Sequence, residues 1–224
     1  MRKTQFELGN FYHIYNRGVD KRNIFENKED FLRFYECIQY FNSLESTGGF
    51  YQETLSKNKN YKGSTFIKSK RLVNFVAFCI NQNHYHFILE PLVDNGIQKI
   101  MHRISTGYTM YFNQTHKRSG SLFQGRYKSV HIDTNEYLLH LSVYVNLNDR
   151  VHEGLNKNWM KELPFSSWNQ YIGMKNIPFC NPSIVLEQFK NKEKYKIFAE
   201  QLLPIIVKRK KDEKDLNNIF FDTE

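Results

Sequence analysis

Cysteine is scarce: Cys37, Cys79 and Cys180 are the only three in 224 residues, an odd number set far apart. Such spacing argues against a disulfide framework and against a cysteine-based zinc site, and a reducing cytoplasm is the expected compartment. No apolar run reaches the ~20 residues needed to cross a bilayer. The opening segment, Met1-Arg-Lys-Thr-Gln-Phe-Glu, has no apolar stretch of the signal-peptide kind. Acidic residues are also few, 23 Asp and Glu against 32 Lys and Arg, which leaves a formal net charge of +9. The isoelectric point is near 9.3. That balance suits a polyanionic partner, either nucleic acid or an anionic membrane surface. Charge alone equally describes a basic soluble protein.

Apolar and aromatic residues are plentiful, at 40% and 16%. They support one domain of ordinary size with a real core. Aromatics alternate with bases in Phe123-Gln-Gly-Arg-Tyr-Lys. Such a segment suits a strand whose bases stack while its phosphates meet cations.

The chain divides into alternating strand and helix patterns. Residues 9–16 predict a strand that Asn16-Arg17-Gly18 closes as a turn. From about Lys28, the three- and four-residue spacing of Phe31, Phe34, Tyr35, Ile38 and Phe41 predicts a helix with one apolar stripe. Residues 44–71 change character, with Gly48-Gly49 and scattered Lys and Asn, and are expected as a surface insertion that can hold a hairpin. Val73 to Ile80 is a near-continuous apolar run of the central-strand kind. Asn81-Gln82-Asn83 supplies a turn, and His84 to Glu90 returns as a strand. A second helix is expected over 97–113, with Ile97, Ile100, Met101, Ile104, Tyr108 and Phe112 inward. Gly120 to Val130 is a basic loop or short strand. A third helix starts near Asp133, with Asp133 at the N-cap and Glu136 three residues on. The expected fold class is α+β: an antiparallel sheet of ferredoxin-like type with helices packed on one face. Lys208-Arg-Lys-Lys211, with its acidic neighbours, is expected as a solvated tail, and no internal repeat is present.

His84-Tyr85-His86 carries the first chemical signal. Alternate residues of a strand share a face, so both imidazoles can grip one ion. The plainer alternative is two histidines packing separately. Tyr137, Leu141, Tyr144 and Asn148 follow at spacings of four, three and four along one helical side. The Asn148 amide oxygen suits a hard or borderline cation as a third ligand. On their own, a tyrosine at the core's edge and a C-terminal capping Asn explain that helix as well.

Several segments together resemble one family. Asn83-His-Tyr-His-Phe-Ile-Leu-Glu-Pro91 is similar to the metal-binding strand of the HUH single-tyrosine transposases, in particular the REP-associated branch of the insertion-sequence family. The same holds for Tyr12 to Gly18, for Gly120 to Ser129 and for Tyr137 to Asn148. Phe165-Ser-Ser-Trp-Asn-Gln-Tyr171 resembles the family's closing segment. The similarity spans roughly residues 9–43 and 72–172, with the motifs in the family's order. It implies an HUH nuclease domain at 1–152, interrupted at 44–71. A C-terminal extension at 153–224 would stay family-like to about 172 and become a charged tail after 207. It further implies metal ligands at His84, His86 and Asn148, with Mg²⁺ or Mn²⁺ as the ion, and Tyr144 as the nucleophile. Departures are Asn81-Gln82, where Met-Pro is frequent, Tyr85, where an aliphatic residue is usual, and Asp149, where Pro often follows the Asn.

The chemistry is coherent. A divalent ion polarises a phosphodiester, and a phenol beside it can lose its proton and attack. The resulting 5′-phosphotyrosine remains a diester, so a free 3′-OH can rejoin the strand. The implied partner is single-stranded DNA beside a hairpin, and the implied activity is metal-dependent cutting and strand transfer. Homodimeric and monomeric relatives leave the oligomeric state open. Arg17, Arg22, Arg126 and Lys128 are candidate phosphate contacts, and Phe123 or Tyr127 are candidates to stack on a base. His13, His102, His116, His131, His140 and His152 lack ligand-like pairing and are expected as structural or surface residues. Tyr137, near the helix start, is a reserve nucleophile. Two other functions compete: a domesticated binder that holds structured strands without cutting, and an RNA-binding sheet domain, which would carry aromatics where the histidines stand.

Overall fold

The computed structural model describes residues 5–45, 70–151 and 158–221. The hairpin expected within 44–71 lies almost wholly outside the described residues. Four strands form one antiparallel sheet: β1 (Phe11–Arg17), β2 (Val73–Asn81), β3 (His84–Pro91) and β4 (Lys128–Ile132), in the order β2-β3-β1-β4. With helix α1 (Lys28–Phe41) between β1 and β2, and α2 (Gly96–Thr115) between β3 and β4, this is the ferredoxin-like arrangement. Among the described residues no helix is long and apolar enough to cross a membrane.

Period-two alternation sorts each strand into two faces. Tyr12 and Ile14 of β1, Tyr85, Phe87 and Leu89 of β3, and Phe75, Phe78 and Ile80 of β2 are buried under α1 and α2. The helices supply the residues their stripes predict, Phe31, Phe34, Ile38 and Phe41 from α1 and Ile97 through Phe112 from α2. A β-bulge between Phe75 and Ala77 breaks the alternation of β2. It turns both Val76 and Ala77 toward the opposite layer.

That opposite layer corrects the one-face expectation. A third helix, α3 (Asn135–Asn146), packs across β2, β3 and β4 on the other side of the sheet. Leu138, Leu141 and Val145 of α3 need an apolar partner, and Val76, Ala77, Cys79 and Ile88 provide it. The cap also differs from expectation. Thr134 Oγ1 accepts from the Tyr137 N–H at 3.1 Å, because Asn135 is the first helical residue and Tyr137 carries the third open donor.

After α3 the chain passes through Leu147 into a short helix, α4 (Asn148–Val151). The segment 165–167 then lies along the free edge of β2. Ile80 N donates to Phe165 O at 2.7 Å, and Ser167 N donates to Phe78 O at 2.9 Å. Further on, Asn181 N donates to Phe75 O at 2.7 Å. An edge strand's open donors and acceptors are thereby covered. Short helices α5 (Trp168–Tyr171) and α6 (Ser183–Leu186) follow, and a long one, α7 (Lys192–Phe221), returns across α3. The residues expected as a solvated tail are part of α7.

A buried polar network fixes α3 in place. Tyr195 Oη lies 3.0 Å from Ser142 Oγ and accepts from Asn146 Nδ2 at 3.0 Å. Asn146 Oδ1 accepts from Ser167 Oγ at 2.5 Å, and Ser167 Oγ also takes the Phe78 N–H at 2.9 Å. One chain of contacts thus runs from α7 through α3 to β2. Tyr195→Phe removes the acceptor of a buried amide, so it should destabilise the fold by about 1–3 kcal/mol. Urea unfolding would read this as a lower midpoint at unchanged slope, and an unchanged midpoint would refute the network's role.

Candidate active site

The second face of the sheet brings the sequence candidates together. His84 and His86 point to the same side of β3, with ring centroids 5.2 Å apart and planes at 85°. Asn148, the first residue of α4 and fully buried, turns its Oδ1 to 2.9 Å from His84 Nε2. Tyr144, one turn earlier on α3, presents its ring edge-on to His86, with centroids 5.4 Å apart. The four residues singled out in the sequence therefore converge, although Asn148 stands beyond the end of α3. The Asp149 departure is compatible with this turn: without a Pro, the chain continues directly into α4.

The hydrogen bonds favour one protonation pattern. His84 Nδ1 lies 2.6 Å from Asn83 Oδ1, an acceptor, so the neutral ring carries its proton on Nδ1 and directs its Nε2 lone pair at Asn148. Asn81 Nδ2 reaches both sides, donating to Asn148 Oδ1 at 2.6 Å and lying 2.9 Å from His84 Nε2. The Asn148 Nδ2 is left buried with no hydrogen-bond partner. The Asn148 oxygen, held by the Asn81 N–H, stands beside His84 Nε2, where the two could share a cation. Two donors bound at right angles to one ion at about 2.1 Å stand about 3 Å apart, which matches the His84–Asn148 separation. Among the described residues no group of three His, Cys, Asp or Glu forms a metal cluster. The Asn148 oxygen is the candidate third protein donor for an ion at the histidine pair.

Two residues of β1 complete the site, and sequence reasoning missed both. Tyr15 pairs with His86 across the β1–β3 ladder. His13, two residues earlier on the same face, places Nε2 2.9 Å from His86 Nδ1, with the rings stacked at 5.1 Å. His13 was expected as a structural or surface residue; it is buried, and its position makes it the support of a candidate ligand. If His86 donates from Nδ1 to His13, its Nε2 faces the site, as an orienting partner behind a metal ligand requires. Burial, reinforced by the charge of Lys210, pushes the His13 imidazole down to about 4, so it is neutral at ordinary pH. The signal that could have revealed both residues is the His13-x-Tyr15 alternation opposite the buried Tyr12 and Ile14. Asn81, at the frequent Met position, is the last residue of β2 rather than part of the expected turn, and it reaches the site. Tyr137 sits near the start of α3, its phenol pushed up by burial and by Tyr15 and Asp133.

Residues 50–148 match the family model described as transposase, IS200 like. Over that stretch the chain is similar to the IS200-like transposases. The match includes His84, His86, Tyr144 and Asn148, whereas β1, with His13 and Tyr15, lies before it and α7 after it. A solved structure of a REP-associated tyrosine transposase bound to a REP hairpin is similar over 81% of this chain and 96% of that chain, at 11% identity and a TM-score of 0.45. No curated protein matches the chain.

The candidate DNA contacts are spread over the fold. Lys128 is exposed and pairs with Tyr15, on the same face as the histidines. Arg17 is exposed at the end of β1, where its Nε donates to Gln124 Oε1. Arg22 is held by Val19 O at 3.1 Å and lies 3.6 Å from Asp20. Arg126 and Tyr127 line a cavity of about 800 Å³ beside α2, with Gln98, His102 and Ser105. Phe123 does not fit the stacking role. It is 4% exposed and packs between Tyr85 and Tyr108, so its ring has no face to offer a base. The loop that contains it is anchored by the Gly18–Phe123 bridge, which turns that side chain inward.

Proposed function

We propose that this chain cuts and rejoins single-stranded DNA through a covalent 5′-phosphotyrosine on Tyr144, beside a divalent ion held by His84, His86 and Asn148. The observation that carries the proposal is the convergence of Tyr144 with that His–His–Asn set on one face of the sheet. Bound Mg²⁺ or Mn²⁺ would polarise the phosphate and take up charge developing on its non-bridging oxygens. The soft thiolate donors that would select other ions are absent from the set, and an amide oxygen with a phosphate favours these two.

The chain's own residues have distinct tasks. Tyr144 supplies the phenol oxygen: its bond to phosphorus forms, the bond from phosphorus to the 3′ oxygen breaks, and the leaving oxygen takes up a proton. The product on Tyr144 is still a diester, so the reverse attack by a 3′-OH joins strands without an external energy source. Asn83 and His13 keep the two imidazoles in the orientation just described. The Tyr195–Asn146–Ser167 network holds α3 at a fixed height over the sheet, since reaction requires the attacking oxygen within ~3–3.5 Å of phosphorus. Lys128 and Arg17 would neutralise phosphates on either side of the cut. The preference for a hairpin beside the cut strand rests on the motif resemblance alone.

Incubation with hairpin-bearing single-stranded DNA and Mg²⁺ or Mn²⁺ is expected to yield an adduct stable to denaturing gels and dependent on the metal. Binding with no adduct in either metal would instead indicate a non-cutting binder. Tighter binding to RNA, again with no cleavage, would indicate an RNA-binding domain.

A further inference from the structure

Helix α7 has one apolar side. Tyr195, Ala199 and Leu202 are buried in the second-layer core, and Phe198, Leu203 and Ile206 are packed against it. Their spacings of three and four place them on one stripe. The next position on that stripe, four residues past Ile206, is Lys210. Lys208, Arg209 and Lys211 are exposed, whereas Lys210 is partly buried. Its Nζ stands 5.9 Å from the centre of the Tyr144 ring. The stripe thus changes from apolar to cationic at the point where the helix passes from the core onto the tyrosine. A phosphate arriving beside the same ring would meet that ammonium in a charge-assisted contact.

We propose that Lys210 is a catalytic residue delivered by the C-terminal helix: its ammonium holds the scissile phosphate while Tyr144 attacks. This rests on the strand-transfer reading above. As the Tyr144 oxygen–phosphorus bond forms and the phosphorus–O3′ bond breaks, Lys210 stays protonated and contributes charge at the non-bridging oxygens, not a proton. The phenol proton goes to solvent and the 3′ oxygen is protonated from it. Because α7 lies outside residues 50–148, this lysine would be a contribution of the C-terminal region to a site whose other candidate groups lie in or before the matched domain.

The test compares wild type, Lys210→Met, Lys210→Arg and Tyr144→Phe for single-turnover adduct formation on hairpin-bearing DNA with Mg²⁺ or Mn²⁺. DNA affinity and thermal melting are measured alongside. Lys210→Met should slow adduct formation by about 10- to 100-fold, since one preorganised charge at the phosphate is lost. Its affinity should fall by no more than about three-fold, because the remaining Lys and Arg carry most of the binding. Lys210→Arg should recover much of the rate. If Lys210→Met melts early, Lys210→Gln gives the same comparison with a polar side chain. A methionine variant that cuts at or above the wild-type rate overturns the proposal, as does an arginine variant no faster than the methionine one. If wild type itself forms no adduct, the strand-transfer reading falls and the lysine role with it. If wild type is active and Lys210→Met equals it, only the lysine role falls.

Discussion

Tyr144→Phe should abolish covalent adduct formation, a loss of roughly 10⁴-fold or more, as removal of a nucleophile generally gives. Phenylalanine keeps the ring that packs edge-on to His86 and beneath Lys210 and deletes only the attacking oxygen. Folding and DNA affinity should therefore be nearly unchanged. The informative control is Tyr137→Phe. Tyr137 is two turns nearer the start of α3, beside Tyr15, and burial holds its phenol above the ordinary range. It is thus both farther from the histidine pair and harder to ionise. Tyr137→Phe should retain most of the wild-type rate. Denaturing gel electrophoresis after single-turnover incubation reads both variants, and a Tyr137→Phe loss as large as that of Tyr144→Phe would contradict the assignment.

His84→Ala should separate chemistry from binding. The imidazole is in contact with Asn148 and Asn81 and anchored by Asn83, so its removal dismantles the candidate ligand set at its centre. Cutting should fall by at least roughly 100-fold in Mg²⁺ or Mn²⁺, the scale of losing electrostatic stabilisation at a reacting phosphate. Affinity for single-stranded DNA should survive. Most of it comes from phosphate neutralisation by a chain with net charge +9, and its logarithm falls against log salt by about 0.7 per phosphate neutralised. The variant should therefore keep the wild-type slope. Equal loss of cutting and binding, or a flattened slope, would mean that His84 contributes to the binding surface and that the proposed division of labour is wrong.

Local periodicity made much of this architecture legible. The stripes Phe31–Phe41 and Ile97–Phe112 fall where α1 and α2 bury them. The His84-x-His86 alternation puts both rings on one side of β3 because that strand carries no bulge on its way there. Where expectation failed, the missing information was non-local. The His13-x-Tyr15 alternation puts both side chains on one face of β1, but nothing in a sequence states that Tyr15 will lie opposite His86. The bulge at Phe75/Ala77 is hidden because the run Val73–Ile80 is apolar on both faces and has no alternation to interrupt. Phe123 looked like a stacking residue because it stands among bases and glycines, and only the bridge to Gly18 turns it into the core. The second helical layer was missed for a related reason. The stripe of α3 signals that something must cover it but not which sheet face it covers, and the run of α7 from Tyr195 to Ile206 was overshadowed by the charges that follow it.

In the proposed reaction Tyr144 supplies the oxygen of the protein–DNA bond. This is tested most directly by trapping the adduct, trimming the DNA with nuclease, digesting the protein and locating the nucleotide mass by tandem mass spectrometry. A nucleotide joined through its 5′-phosphate is expected on Tyr144 alone, present with Mg²⁺ or Mn²⁺ and missing when the metal is chelated. The same mass on Tyr137, Tyr15 or any other side chain, or an adduct indifferent to chelation, would contradict it.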